Sequence, residues 1–232
     1  MDYQLGLYEK ALPNDMTIAE KLTIAKRVGF DFMEISIDES AEKLARLNYS
    51  QSQKKELCRT IADIGLPVKS ICLSALRKYP LGSKEPAIVS RSFEIIDQAI
   101  DLGCELGVRT IQLAGYDVYY EISTDESRKR YVNNLHNVVC MAAKAEMMLG
   151  FETMETEFMD TIQKAMVYIN EIRSPYLQIY PDTGNLTNAM KKYDGDFVMD
   201  AQAGQGHILA AHLKETMPGH YRNIPFGSGY AL

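Results

Sequence analysis

The chain has 232 residues, 46% of them apolar, and its 25 Lys and Arg stand against 31 Asp and Glu for a net charge of −6. That balance belongs to a well-cored folded domain and excludes intrinsic disorder and a small disulfide-dense scaffold. The acidic surplus argues against a protein that grips a nucleic-acid backbone, which needs clustered Lys and Arg to displace counterions.

In chain order, Met1-Asp2-Tyr3-Gln4 lacks the basic start and apolar stretch of a secretory leader. A first strand is expected over Tyr3–Tyr8, followed by Glu9 and Lys10. Thr17-Ile18-Ala19-Glu20 reads as a capping box that opens a helix. Gly29 then precedes a strand, Phe30–Ser36, that carries Glu34, and Gly65 precedes Pro67–Leu73, which ends at Ser74. Val89, Phe93, Ile96, Ile100 and Cys104 recur at helical spacing and are expected to form one buried stripe. Gly107 precedes Val108–Leu113, which holds Gln112 and runs into Gly115-Tyr116-Asp117. Ser123-Thr124-Asp125-Glu126 is a second candidate capping box. Gly150 marks a fourth junction, at the strand Leu149–Thr153 with its Glu152. Tyr176–Tyr180 leads into Pro181-Asp182, and a seventh strand, Ile208–Leu213, contains His212.

Glycine suits the left-handed position just past a helix end, which gives the four junctions their common form. They recur roughly every 36 to 43 residues, the length of one strand, one helix and two loops in a parallel sheet. No composition shift or Pro/Ser-rich linker divides the chain, so residues 1–232 are read as one α/β domain. Cys58, Cys72, Cys104 and Cys140 lie far apart in apolar patterns and read as small buried hydrophobes in a cytoplasmic protein. The longest apolar run, Val138 to Ala143, is far shorter than the roughly 18 residues of a membrane span.

Seven such units could form an open doubly wound sheet or a (β/α)8 TIM-type barrel. The glycine-rich turn of a dinucleotide-binding sheet is missing after the first strand, where Leu7-Tyr8-Glu9-Lys10-Ala11-Leu12 stands, and the barrel is favoured. A barrel carries its chemistry at the C-terminal ends of its strands. Glu152, Asp182 and His212 fall at such ends on three successive strands. Singly, a strand Glu is more often a surface residue and a lone His a satisfied core residue. Together they offer oxygen and nitrogen donors for one divalent ion such as Mn²⁺, Zn²⁺, Co²⁺ or Mg²⁺. Glu34 could equally be a structural hydrogen-bonding group or a substrate contact, and Tyr119, Tyr120 and Met147-Met148 read as packing.

Several blocks resemble the L-ribulose/L-xylulose-5-phosphate 3-epimerases of ascorbate and pentose utilisation, within the xylose-isomerase-like barrels. They are Gly6-Leu7-Tyr8-Glu9-Lys10-Ala11-Leu12-Pro13, Gly29 to Glu34, Cys72-Leu73-Ser74-Ala75, and Ile111 to Tyr120 with its Gln112-Leu113-Ala114-Gly115-Tyr116-Asp117 core. Tyr180-Pro181-Asp182, Gly184-Asn185-Leu186, His212-Leu213-Lys214 and Pro225-Phe226-Gly227 complete the match. The resemblance implies that Glu152, Asp182 and His212 bind the metal, and that Glu152 also exchanges a proton with the substrate. It implies substrate contacts from Asn185, Arg222, Ser74 and Gln112, with the loop Ser74 to Gly82 (Arg77, Lys78) placed to meet sugar or phosphate. It further implies a homodimer acting on a sugar phosphate, with no nucleic-acid or membrane partner.

Two departures stand out. Leu76 occupies a position where relatives commonly carry His, and after Gly227 the chain runs only through Ser228-Gly229-Tyr230-Ala231-Leu232. The eighth βα unit, with a fourth ligand and second acid–base Glu, is therefore expected to be missing, leaving a barrel of about seven units. The alternative to an active epimerase is accordingly an impaired or non-catalytic barrel that still binds sugar phosphate. An endonuclease of the same superfamily, acting at abasic sites, is disfavoured by the four His and the net charge of −6.

Overall fold

The computed structural model describes residues 3–221 and 223–231. Six parallel strands, β1 Gly6–Tyr8, β2 Phe32–Ser36, β3 Val68–Leu73, β4 Thr110–Ala114, β5 Met148–Glu152 and β6 Leu177–Tyr180, pair in chain order. Helix α1 Ile18–Arg27 follows β1, and α2 Ala41–Ala45 and α3 Gln51–Ile64 follow β2. Next come α4 Pro86–Leu106, α5 Asp125–Lys144 and α6 Ile162–Ile172, one after each of β3, β4 and β5. Helices α7 Thr183–Tyr193 and α8 Phe197–Ala203 follow β6. Parallel strands whose spatial order never reverses wind as a barrel, not as a doubly wound sheet. Among the described residues no helix is long and apolar enough to cross a membrane.

The expected seventh strand takes a looser form. Residues 207–213 run parallel to β6 but join it through two isolated bridges, Ile179↔Ile208 and Asp182↔His212. Pro181 lies between those bridges and has no N–H to give, so the ladder is interrupted there. The His212 amide still reaches the Pro181 carbonyl at 2.8 Å, which keeps the segment in register.

Three junction glycines have the expected left-handed backbone, Gly29 at φ +93°, Gly65 at +68° and Gly107 at +73°. Gly150 does not belong with them. It lies inside β5, and Glu146, at φ 54°, takes the left-handed turn after α5. What Gly150 provides is clearance: a Cβ there would lie 3.0 Å from the Tyr180 Cβ. Thr17 and Glu20 form the expected capping box. The second box sits one residue later than expected, with Thr124 as cap and Ser127 as its partner. Ser123 instead donates to Asp117 Oδ2 at 2.8 Å.

The buried face of α4 is Ser92, Ile95, Ile96, Ala99, Ile100, Leu102 and Gly103, while Val89 and Phe93 are half-buried and Cys104 is exposed. A stripe traced through large apolar residues misses Ser92 and Gly103, whose small size lets the helix approach the sheet. A Cβ on Gly103 would meet the Met147 Cε at 2.8 Å. Of the cysteines only Cys72 is buried; Cys58 is half-buried and Cys104 and Cys140 are exposed on helices.

A buried ionic cluster fixes the end of β1. Glu9 is 1% exposed and accepts from Arg46 Nη1 at 2.5 Å, from the Lys43 ammonium, and from the Ser36 amide at 2.7 Å. Lys21, equally buried, stands 3.6 Å away. Burial alone would push the Glu9 carboxyl up, but Arg46, Lys43 and the Ser36 amide outweigh it and hold it at about 2, below its ordinary 4.5. A depressed carboxylate stabilises the fold above its unfolded value and loses that contribution as pH falls through the folded one. Glu9→Gln, which strands three buried cations, is expected to cost about 3–5 kcal/mol at neutral pH. In urea melts its deficit against the parent should shrink between pH 4.5 and 2; a deficit constant with pH would refute this account.

Candidate metal and catalytic site

Register brings the site together. Glu152 ends β5 opposite Tyr180 of β6, and Asp182, two residues further on, bridges to His212. One ligand atom from each of Glu152, Asp182 and His212 lies within 4.8 Å of the others. Asp182 also caps α7, its Oδ1 accepting from the Asn185 amide at 2.8 Å. A residue that must end a strand turn and start a helix has little freedom, so the carboxylate is fixed from both sides.

The imidazole of His212 lies between two carboxylates. Its Nδ1 is 2.9 Å from Glu152 Oε1 and its Nε2 is 2.6 Å from Glu34 Oε1. Glu34 is buried and also accepts from the Ser70 hydroxyl at 2.6 Å and the Tyr180 hydroxyl at 3.1 Å. Burial opposes charge on His212, but Glu34 and Glu152 outweigh it and raise its pKa well above the ordinary value. Burial likewise works against the Glu34 carboxylate, and His212, Ser70 and Tyr180 bring its pKa below the usual range. The Asp182 carboxyl is pushed up by burial and by Glu152, against the pull of Lys214, whose Nζ is 3.0 Å from Asp182 Oδ2.

The donor set suits a divalent ion: two carboxylates and an imidazole converge, partly desolvated, with negative charge in excess. Because Glu34 engages Nε2, Nδ1 is the His212 atom turned toward the other two ligands. A carboxylate behind a ligating imidazole is the common arrangement around protein-bound metals.

The remaining expected site residues are distributed as follows. Gln112 is buried, its Nε2 donates to Glu152 Oε2 at 2.6 Å, and its Oε1 is buried with no protein partner. Asn185 is buried beside Asp182, its Nδ2 on the Thr153 carbonyl and its Oδ1 on Lys214 Nζ, both at 2.8 Å. Ser74 starts a 3-10 turn, Ser74–Arg77, directly after β3 and is half-buried. Arg222 lies outside the described residues. Leu76 packs in the core, 6% exposed. Tyr120, expected to pack, is 66% exposed and donates to Glu39 at 2.9 Å.

Sequence reasoning passed over Lys214 and Glu155. Glu155 Oε2 accepts from the Tyr116 hydroxyl at 2.8 Å, and its Oε1 from the Tyr119 hydroxyl at 3.3 Å. The acidic residue three positions after Glu152 was the available signal. A cavity of about 380 Å³ is lined by Met154, Glu155, Asn185 and Tyr221 among others, but by none of Glu152, Asp182 and His212. A second, of about 390 Å³, lies among α1, α2 and α3, away from these groups.

Glu34→Leu removes the acceptor of three buried donors and is expected to destabilise the fold by about 3–5 kcal/mol. Glu34→Gln keeps an acceptor and should lose less than half as much. Equal losses by the two variants in denaturant melts would refute the hydrogen-bonding role.

Residues 22–232 match the xylose isomerase-like TIM barrel family. The chain is 45% identical over 225 residues to the L-ribulose-5-phosphate 3-epimerase UlaE of Salmonella heidelberg, covering 97% of this chain and 78% of that protein. The values for the enzyme of the same name from Escherichia coli are the same. A crystal structure of D-psicose 3-epimerase in the presence of D-fructose shares the fold at a TM-score of 0.77 with 13% identity, over 92% of this chain and 73% of that one. A structure of L-ribulose 3-epimerase does so at 0.73 with 20% identity, over 91% and 70%. The chain belongs to the xylose isomerase-like TIM barrel family and, within it, to the isomerase-class epimerases.

Proposed function

We propose that the chain epimerises C3 of a pentulose 5-phosphate, interconverting L-xylulose 5-phosphate and L-ribulose 5-phosphate, with one divalent metal ion held by Glu152, Asp182 and His212. The observation that carries this reading is the convergence of those three ligand atoms at the strand ends. The names of its relatives at 45% identity supply the substrate. The pathway implied by the resemblance is ascorbate and pentose breakdown, carried out by a cytoplasmic homodimer.

Inverting C3 of a 2-ketose requires removal of the proton next to the carbonyl and its return on the opposite face. A divalent ion, when bound, polarises the C2 carbonyl and stabilises the charge that builds on its oxygen. Glu152 is the group that exchanges the C3 proton. Gln112 holds one of its oxygens through Nε2 and so fixes the direction of the carboxylate. The free Oε1 of Gln112 is an acceptor for a substrate hydroxyl. Asn185 keeps Lys214 against Asp182 and lines the cavity shared with Met154 and Glu155. Ser74 and Arg222 are the further substrate contacts that the resemblance supplies. The resemblance also places the second acid–base group on an eighth strand.

Epimerisation of L-ribulose 5-phosphate, followed by NMR, tests the reading. Glu152→Gln is expected to lower the rate by on the order of 10²–10⁴ and to reduce bound metal in the purified protein. Metal content equal to the parent's would remove Glu152 from the ligand set. Joining these 232 residues to the last βα unit of the Escherichia coli relative should raise the rate over a similar range; no gain would count against an acid–base role for that unit.

A further inference from the structure

We propose that Arg77 is the residue that reads the substrate's phosphate, so that the site discriminates a phosphate monoester from the free sugar. This rests on the epimerase reading above and extends it to substrate recognition.

A dianionic phosphate arriving at this end of the barrel meets Glu152, Asp182, Glu34, Glu155 and Glu39, and needs a cation to offset them. Among the described residues, the loops that follow the strands offer Lys10, Arg77, Lys78, Lys84 and Lys214. Lys10 is paired with Asp38 at 2.5 Å and Lys214 with Asp182 at 3.0 Å. Lys78 and Lys84 are exposed. Arg77 is half-buried, and its Nε is shielded from solvent without a hydrogen-bond partner. Its guanidinium lies 4.8 Å from the Tyr119 ring centroid and 6.0 Å from that of Tyr116. The nearby Glu155 is engaged by the hydroxyls of those same tyrosines.

The Tyr116 hydroxyl and Glu155 also draw on this guanidinium and favour its charge. Its planar set of N–H donors nonetheless exceeds what one hydroxyl can take, and the remaining fork is the geometry that matches phosphate oxygens. The Arg77 cradle is also next to the chemistry. Tyr116 packs with Ala114, and Ala114 is the register partner of Glu152.

The loop that carries Arg77 is built to hold still. Asn134 of α5 donates to the Leu81 carbonyl at 2.7 Å, and Arg130 to the Gly82 and Ser83 carbonyls at 3.0 and 3.1 Å. Ser92 of α4 donates to the Tyr79 carbonyl at 2.7 Å. Gly82 meets the loop after β4 so closely that a Cβ would stand 2.5 Å from the Asp117 carbonyl oxygen. A cation on a loop fixed in this way binds an anion with little further ordering.

The test is calorimetric binding of L-ribulose 5-phosphate and of L-ribulose to the whole chain and to Arg77→Met, Arg77→Lys and Lys84→Met, with thermal melts as folding controls. Arg77→Met is expected to weaken the phosphorylated sugar about 10- to 100-fold, as loss of a charge-assisted contact should. Its affinity for L-ribulose should stay within about 2-fold. Arg77→Lys, which keeps the charge without the fork, should fall between, and gives the answer if the methionine variant does not fold. Equal loss for both sugars would overturn the proposal in favour of a structural role. So would a Lys84→Met loss as large as that of Arg77→Met, which would indicate only a general field. Selective binding through Arg77 in a chain that turns over neither epimer, alone or joined to the relative's last βα unit, would instead leave Arg77 assigned and refute the epimerase reading.

Discussion

One imidazole ties the interior of this barrel together. His212 stacks on Tyr8 of β1 at 5.7 Å, meets Glu34 of β2 and Glu152 of β5 through its two nitrogens, and packs against Tyr180 of β6 at 4.8 Å. It does so from a segment whose own ladder is broken at Pro181. Among the described residues β1 pairs with β2 alone, so the two ends of the sheet meet through side chains rather than through backbone. In a low-dielectric interior an unpaired ion is costly, and two carboxylates around one imidazole satisfy all three. The contact that closes the fold is thus also the one that aims Nδ1 at Glu152 and Asp182.

Two acidic residues at equivalent strand ends have opposite fates, and electrostatics decides which is available for chemistry. Glu9, at the end of β1, is enclosed by Arg46, Lys43 and Lys21, and neither of its oxygens is open to a ligand. Glu152, at the end of β5, has one neutral partner, Gln112, and one imidazole. Positive charge is in excess around the first and negative charge around the second. The outer cluster locks helices α1 and α2 onto the sheet; the inner one has the donor set and charge that suit a cation. Side-chain exposure is 1% for Glu9 and 12% for Glu152, so burial alone barely tells the structural carboxylate from the candidate ligand. The sign of the surrounding charge does.

Much of this was legible in the sequence because it is local or periodic. The strand–helix alternation, the Thr17 cap and the three positive-φ glycines follow from short-range patterns. Glu152, Asp182 and His212 emerged from asking what stands at each strand end, which works because the barrel puts those ends on one rim. What escaped depends on partners far apart in the chain. Glu34 and His212 are separated by 178 positions, and nothing near Glu34 announces an imidazole. Gly150 looked like a helix terminator because its neighbours resemble those of Gly107; its reason is the Tyr180 ring on the adjacent strand. The α4 face was mis-centred because small residues carry close packing but no hydrophobic signal. The seventh strand was read as regular because a proline just outside an apolar run does not reveal which ladder it interrupts.

The two proposals, for reaction and for recognition, fall on different elements of the fold. The three candidate ligands sit on β5, on the turn after β6 and on the segment beside it, where register and helix capping leave them little freedom. Arg77, Tyr116 and Tyr119 sit on the loops after β3 and β4, anchored to α4 and α5 by side chains that touch none of the triad. Loop residues can therefore change without altering the geometry of Glu152, Asp182 and His212. On the proposed reading the reacting groups stand at strand ends and the recognition cation on a braced loop, so exchanging that cation costs the barrel none of the contacts around His212.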